Sequence, residues 1–146
     1  MSSLKGSYLL ILHLKSAKEI RIGKLGGINF NPGYYIYTGS AMNGLENRVK
    51  RHFSHDKKLW WHIDYLTVNA NPLHALGIPH KKVECFLAEH FSARFAKIKS
   101  FGCSDCKCDS HLFYSPKDPG KSIFKVVSDI DLDWKNMIYY DKDALK

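Results

Sequence analysis

A few side chains in this sequence combine the types and spacing that acid–base chemistry on a polar ligand needs. In the stretch GYYIYTGSA, Tyr35, Tyr37 and Gly39 alternate onto one face of a predicted strand. Two phenols leading into a glycine make a poor hydrophobic core, so this face favours a polar ligand. Arg48 and His52 are four residues apart on the next predicted helix and therefore share one helical face. Taken alone, the tyrosines are more commonly explained by ordinary strand packing. The Arg48 and His52 pair is more commonly a pair of surface residues.

A carboxylate falls among the apolar residues of a later predicted helix. Steps of about 100° per residue place Glu84 between Phe91 and Phe95, within the apolar arc, while Glu89 falls on the opposite side. Burying a carboxylate is costly unless a cation or a hydrogen-bond donor meets it. We therefore favour a metal ligand at Glu84, with a buried salt bridge, for example to Arg48, as the alternative.

The cysteines are confined to one part of the chain. All 4 lie between residues 85 and 108, and the run Cys103-x-x-Cys106-x-Cys108-x-x-His111 offers soft metal ligands that Cys85 could join in space. Structural zinc prefers four Cys or His ligands at the corners of a tetrahedron. The spacing is compressed for an ordinary zinc knuckle, which favours free, reduced thiols in the cytosol. The alternative is a zinc or structural site on Cys85, Cys106, Cys108 and His111.

Length and charge limit the class of protein. The 146 residues predict one domain, and the net charge of +8 is concentrated in residues 1–60, which hold ten Lys/Arg against three Asp/Glu. A positive region of this kind attracts nucleic acid, although a solvated lysine-rich face explains it equally well. The apolar stretch near the start is too short for a signal peptide or a membrane span. We expect a cytoplasmic protein without a membrane partner.

Apolar runs bounded by turn residues predict the strands. Residues 8–14 are almost entirely apolar, which favours a central strand buried on both faces, and residues 19–24 could pair back onto it. The tyrosine strand follows Pro32-Gly33, and LHALGI, HLFY and SIFKVV are predicted as later strands. The acidic end alternates in the same way, with Asp129, Asp131 and Asp133 against Ile130, Leu132 and Trp134.

Three helices are predicted from apolar residues that recur every three or four positions. The first carries the stripe Leu45, Val49 and Phe53. The second begins in KKLWWHIDYL, with Leu59, Ile63 and Leu66 facing inward, and a strand is the alternative for this stretch. The third is marked by Val83, Phe86, Leu87, Phe91 and Phe95. The order is β-β-α-α-β-α followed by a β-rich tail, which is an α/β (α+β) class.

Several short motifs in the same order resemble the GIY-YIG nuclease superfamily, and within it the compact Uri-like endonuclease domains that are sometimes fused to endonuclease III-type glycosylases. The motifs are Gly6-Ser7-Tyr8, GYYIYTGSA, the helix ending in RVKRH, WHIDYL, VECFLAEHF and FGCSDCKCDSHLFY. The chain departs from the pattern at Ser7, Thr38 and Cys103. The resemblance runs from about residue 6 to residue 114 and implies a small mixed or antiparallel three-stranded central sheet flanked by helices. We expect a single domain over residues 1–146, in which the resemblance covers a core at about 6–114 and the strand patterns predict a β-rich C-terminal extension at 115–146.

The resemblance also implies a function, a metal-dependent endonuclease that hydrolyses DNA phosphodiester bonds in repair or processing. Its catalytic residues would be Tyr8, Tyr37, Arg48, His52 and Glu84. Tyr8 would take or relay the proton of the attacking water, helped by a cation such as Arg48 that lowers the phenol's pKa from about 10. Glu84 would hold Mg²⁺ or Mn²⁺. The residues expected to contact DNA are Ser40, Lys50, Arg51 and His62.

Partners and competing classes follow from the same reasoning. DNA is the expected partner, together with a DNA glycosylase or another repair enzyme. His62 and Asp64 could join the site, or they could cap and pair within the fold. The competing classes are a catalytically inactive nucleic-acid-binding module and a zinc-stapled RNA-binding protein.

Overall fold

A nine-residue apolar strand lies at the centre of the molecule. The computed structural model describes residues 4–103, 106–129 and 136–143. The strands are β1 Gly6–Leu14, β2 Lys18–Arg21, β3 Gly27–Phe30, β4 Gly33–Ala41, β5 Asn71–Pro79, β6 Ala96–Lys97, β7 Leu112–Ser115 and β8 Ile138–Asp141. The helices are α1 Leu45–Phe53, α2 His62–Thr67, α3 Glu84–Ser92 and α4 Gly120–Asp129, with a short 3₁₀ turn at Gly23–Leu25. The predicted α+β class is confirmed.

The main sheet has six strands in the order β6-β7-β4-β1-β5-β8, with every neighbouring pair antiparallel. Its centre, β4-β1-β5, corresponds to the predicted three-stranded sheet. The strands β6 and β7 extend this centre on one side and β8 extends it on the other. The segment expected to pair onto β1 instead forms a separate hairpin, β2 with β3. Both edges of β1 are already paired, with β4 and with β5, and positive φ at Gly23 and Gly26 turns the chain from β2 into β3.

Both faces of the main sheet are covered by apolar layers. Successive residues of β1 point to opposite faces, so Leu10 and Leu12 belong to one buried cluster and Leu9 and Ile11 to another. The first cluster includes residues of α1, α2 and the β2–β3 hairpin, and the second includes residues of α3 and α4. The prediction that β1 is buried on both faces is confirmed. The sheet is therefore the middle layer of three.

The helix patterns were partly right. Leu45 and Val49 on α1 are fully buried, as predicted, and so are Ile63 and Leu66 near α2. Leu59 was wrongly predicted to face inward: it precedes α2, which begins at His62, and it is 39% exposed. The helix starts late because its capping carboxylate, described below, holds the chain extended up to residue 61.

The C-terminal extension is not uniformly β. SIFKVV, predicted as a strand, lies within α4, where Ile123, Val126 and Val127 are buried. Their spacing of three and four residues is helical, and burial of that face overrides the strand preference of β-branched side chains. Asp118 Oδ1 accepts the backbone N–H of Gly120 at 2.9 Å and helps to start the helix. The rest of the acidic alternation, residues 130–135, lies outside the described residues.

None of the described helices is long and apolar enough to cross a lipid bilayer.

Candidate active site

A cavity of about 380 Å³ opens where β1 and β4 meet the starts of α2 and α3 and one side of α1. Its wall includes Tyr8, Tyr37, Arg48, His62, Lys82 and Glu84. We call it the Tyr8–Glu84 cavity. Four of the five predicted catalytic residues therefore line one space, although they are spread over 77 positions of the chain from Tyr8 to Glu84. The fifth, His52, lies directly behind Tyr8.

Tyr8 is buried, and its hydroxyl oxygen lies 2.6 Å from His52 Nε2. Burial raises the pKa of Tyr8 to about 12, and the nearby positive charge of Arg48 opposes this only in part. The expectation that Arg48 brings the pKa below the usual value is therefore wrong. Tyr8 is a neutral phenol at neutral pH, and it can accept a proton only if it passes its own proton on.

The glycine that ends the tyrosine stretch has a steric role. Gly39 pairs with Tyr8 across the β1–β4 ladder, and a Cβ at position 39 would lie 2.5 Å from the Tyr8 ring and hydroxyl. A side chain there would push the ring out of place. The ring of Tyr37 lies beside it, with centroids 6.1 Å apart, and burial raises the pKa of Tyr37 well above its usual range. The absence of a side chain at Gly39 thus makes room for the Tyr8 phenol.

His52 completes a buried pair with Tyr8. The side chain is fully buried on α1, and burial lowers its pKa well below 6.5, with the charges of Lys57, Arg48 and Arg51 acting in the same direction. Its Nδ1 has no hydrogen-bond partner among the described residues. His52 is therefore a neutral imidazole, and its Nε2 is positioned to exchange a proton with the phenol.

Arg48 presents an uncompensated charge to the cavity. Its Nη1 donates to the Ser40 carbonyl oxygen at 2.7 Å, and its guanidinium lies 4.3 Å from the centroid of the Trp61 ring. Within the described part of the chain, no carboxylate forms an ion pair with it. Arg48 is thus oriented by a carbonyl and an aromatic ring, with its charge left available to an anion. The sequence patterns assigned no role to the tryptophan side chains, so they did not predict this contact with Trp61.

Glu84 faces the cavity from the first position of α3. It is half-buried, so the prediction that it lies inside the apolar arc is wrong; the buried positions are Leu87, Ala88 and Phe91. The predicted salt bridge to Arg48 does not form. The Ser7 hydroxyl lies 3.2 Å from Glu84 Oε2, and Ser7 Oγ also accepts the backbone N–H of Val83 at 2.7 Å. The Ser7 hydroxyl has a shorter acceptor, the Lys81 carbonyl oxygen at 2.8 Å, so Ser7 fixes the chain at the start of the helix and lies beside the carboxylate.

For two other side chains of α3, the exposure predicted from the apolar pattern is right in one case and wrong in the other. Glu89 is exposed, as predicted. Phe86 was expected to face the core but is 45% exposed, with its ring 4.6 Å from that of His90. The nine-residue helix buries a narrower stripe than its sequence predicts.

Residues 7–132 match the model of a family described as Domain of unknown function DUF123. The chain belongs to this family. The matched range contains every residue of the Tyr8–Glu84 cavity, so the cavity lies within the DUF123 domain. Neither the comparison with curated proteins nor the comparison with solved structures found a significant match.

Arg51 of this DUF123 protein, one of the residues expected to contact DNA, forms an internal ion pair. Its Nη2 lies 2.7 Å from Oδ2 of Asp64, which is fully buried. The same oxygen accepts the backbone N–H groups of Trp60 and Trp61, each at 2.9 Å. Asp64 therefore caps α2 and fixes the tryptophans beside the cavity. Lys50, another residue expected to contact DNA, is exposed, and its Nζ lies 3.9 Å from Glu46 Oε2.

Replacing Asp64 should destabilise the DUF123 domain strongly. In Asp64→Ala, Arg51 is left as a half-buried charge without its partner, and two backbone N–H groups lose their acceptor. Breaking one side of a buried pair costs about 3–5 kcal/mol, which urea denaturation would measure as a lower midpoint. Asp109→Ala is the control, because Asp109 forms its ion pair with Lys97 at the surface and should matter little. Equal midpoints for the two variants would contradict this interpretation.

His62 also has a structural contact. Its Nδ1 accepts the backbone N–H of Gly102 at 2.8 Å, and its ring lies 5.6 Å from that of Phe101. Both predicted alternatives are thus partly right: His62 lines the cavity and also fastens the chain that leads into the cysteines, whereas Asp64 acts within the fold.

The cysteine-rich segment brings four metal-ligating groups of the DUF123 domain together. One ligand atom from each of Cys85, Cys106, Cys108 and His111 lies within 4.8 Å of the other three, so the group could hold a metal ion. Burial, followed by the neighbouring thiols of Cys85 and Cys106, raises the pKa of Cys108. Cys103 lies outside this cluster, with its Sγ donating to the Phe101 carbonyl at 3.4 Å. The sequence spacing looked too compressed because the fourth ligand comes from α3.

Proposed function

We propose that this protein is a metal-dependent endonuclease that hydrolyses DNA phosphodiester bonds in repair or processing, in the manner of the GIY-YIG nucleases that its motifs resemble. The observation that carries the proposal is the convergence of Tyr8, Arg48 and Glu84 in one cavity. A proton acceptor, a free cation and a hard oxygen ligand are the three groups that this hydrolysis needs.

Arg48 binds the scissile phosphate. One of its N–H groups is engaged by the Ser40 carbonyl, which leaves others for phosphate oxygens, and the stacked Trp61 ring limits its motion. Lys82 lines the same cavity and adds positive charge where the DNA backbone enters. The two cations hold the phosphate beside the Tyr8 hydroxyl and stabilise the charge that grows on its oxygens.

Tyr8 and His52 move the proton. A water molecule attacks phosphorus and gives its proton to the Tyr8 oxygen, while the Tyr8 proton passes to His52 Nε2 over the 2.6 Å hydrogen bond. The bond from phosphorus to the leaving oxygen breaks, and that oxygen takes a proton from solvent. His52 starts neutral because burial lowers its pKa, so it can accept the proton. Tyr37 packs beside Tyr8 and orients the phosphate or the water.

Glu84 fits a single Mg²⁺ or Mn²⁺ ion. Its carboxylate is half-buried, faces the cavity, and is steadied on one oxygen by Ser7. One carboxylate together with waters and a phosphate oxygen is a usual ligand set for these ions. When bound, the ion supplies positive charge to the leaving oxygen.

The proposal is tested by a cleavage screen. Labelled single-stranded, nicked, flapped, branched and damaged DNAs are incubated with the protein and Mg²⁺ or Mn²⁺, with matched RNAs as controls. We expect metal-dependent cleavage of at least one DNA. Tight binding without cleavage of any of them would instead favour the inactive binding module.

The proton relay predicts an unusual dependence of cleavage on pH. With the pKa of Tyr8 raised to about 12 and that of His52 well below 6.5, the reacting pair keeps one form through neutral pH. The single-turnover rate should therefore stay level from about pH 6.5 to about pH 9 and fall only in acid, as His52 becomes protonated. A rate that climbs about tenfold per pH unit over that range would mean that the Tyr8 phenolate itself is the base.

A further inference from the structure

We propose that Cys85, Cys106, Cys108 and His111 bind one zinc ion, which fastens the start of α3 to the segment that precedes β7. The four residues come from two separate parts of the fold. Cys85 is the second residue of α3, and the other three lie 21 to 26 positions further along the chain. We call this group the Cys₃His cluster.

The distances within the cluster suit a tetrahedral ion. Zinc–sulfur bonds of about 2.3 Å at tetrahedral angles keep the ligand atoms about 3.8 Å apart. His111 Nε2 lies 3.8 Å from Cys85 Sγ and 3.1 Å from Cys106 Sγ, and all four ligand atoms fall within 4.8 Å of one another. Small side-chain adjustments would therefore place all four around one ion.

The histidine is held in the orientation that a metal needs. His111 is buried, and its Nδ1 lies 2.7 Å from Thr38 Oγ1. When Nδ1 carries the proton and donates it to Thr38, the lone pair of Nε2 points toward the thiols. A hydrogen-bond partner on the other ring nitrogen fixes the tautomer and the ring plane of metal-bound histidines. Backbone bonds add to the support, since the His111 N–H donates to Phe101 and its carbonyl accepts from Thr38.

The types of the four ligands favour zinc, and their number favours a structural role for the ion. Three thiolates and one imidazole are soft or borderline donors that favour zinc over Mg²⁺ or Mn²⁺. Four protein ligands also close the coordination shell, which leaves no position for a reacting water. The cluster is thus chemically distinct from the carboxylate of Glu84, although the two adjoin.

The Cys₃His cluster borders the Tyr8–Glu84 cavity, so a bound ion would act on the wall of that cavity. Cys85 follows Glu84 directly, and Cys85, Cys106 and His111 all line the Tyr8–Glu84 cavity. Thr38 joins the cluster to β4, the strand that carries Tyr37 and Gly39. A zinc ion here would fix the wall of the cavity and, with it, the direction of the Glu84 carboxylate.

Metal analysis of untagged protein, purified without added metal or chelator, tests the proposal. We expect about one zinc per chain. Cys108→Ser should lose the zinc and melt at a lower temperature, whereas Cys103→Ser, which removes a thiol outside the cluster, should keep both. The absence of zinc from the parent protein, iron in its place, or equal losses from the two variants would overturn the assignment.

Cobalt titration covers the case in which Cys108→Ser fails to fold. Metal-stripped parent protein should take up one Co²⁺ with the visible absorption of tetrahedral thiolate coordination, and added zinc should displace it. A colourless titration, or cobalt that zinc fails to displace, would count against a Cys₃His zinc site. Both measurements are independent of DNA cleavage, so their result does not depend on the proposed nuclease activity.

Discussion

Glu84→Gln is expected to abolish metal-dependent DNA cleavage while leaving the fold and DNA binding intact. The amide keeps the shape of the side chain and can still meet the Ser7 hydroxyl, but it no longer offers a charged oxygen to a divalent cation. We expect the single-turnover rate to fall by at least about 10²-fold. Titration with Mn²⁺ should show that the variant has lost the corresponding binding site.

The structure supplies a matched control on the same helix. Glu89 is exposed, so Glu89→Gln removes the same charge from α3 without touching the Tyr8–Glu84 cavity and should cleave normally. The thermal stability of Glu84→Gln should barely change, because the carboxylate is only half-buried and holds no ion pair in the described structure. If Glu84→Gln cuts DNA as fast as the parent, Glu84 is not the metal ligand.

Tyr8→Phe is expected to reduce the cleavage rate by about 10²–10⁴-fold, the usual contribution of a positioned proton-transfer group. The substitution keeps the ring that packs against Tyr37 and Gly39 and removes only the hydroxyl that bonds His52. DNA affinity should be retained, since Arg48 and Lys82 are untouched. Single-turnover kinetics, with binding measured separately in the absence of metal, distinguishes these effects.

Tyr35→Phe is the matched control for Tyr8→Phe. Tyr35 is also buried, and its hydroxyl donates to the Asn31 carbonyl at 2.6 Å, but it does not line the cavity. Both variants therefore lose one internal hydrogen bond, and only Tyr8→Phe should lose cleavage. Full activity in Tyr8→Phe would reject the relay. Full activity in both Tyr8→Phe and Glu84→Gln would leave binding as the only role for the cavity.

The positions of the tyrosines and of α1 could be predicted because simple periods fix them. Alternation along β4 places Tyr37 and Gly39 on one face, and a spacing of four places His52 beside Arg48. The burial of β1 on both faces followed from its unbroken apolar run. These features follow from the local sequence alone and do not depend on which distant elements pack against them.

Features that depend on where elements end, or on distant partners, could not be predicted in this way. The apolar arc placed Glu84 in the core, but the helix starts at that residue, so its first turn faces the cavity. The ion pair of Arg51 was not predicted because its partner, Asp64, lies in the next helix. The four residues of the Cys₃His cluster were named from the sequence only as the alternative, because the local spacing favoured free thiols and Cys85 comes from α3.

The central place of β1 has a consequence for motion. Tyr8 pairs through its backbone with Gly39 on one side and Gly77 on the other, in the middle of the six-stranded sheet. Amide protons of such a strand exchange with deuterium only when the whole domain unfolds, whereas those of short peripheral helices exchange through smaller openings. Tyr8 therefore stands on a strand that is paired along both edges, and we expect any opening of the Tyr8–Glu84 cavity to occur in α1, α2 and α3.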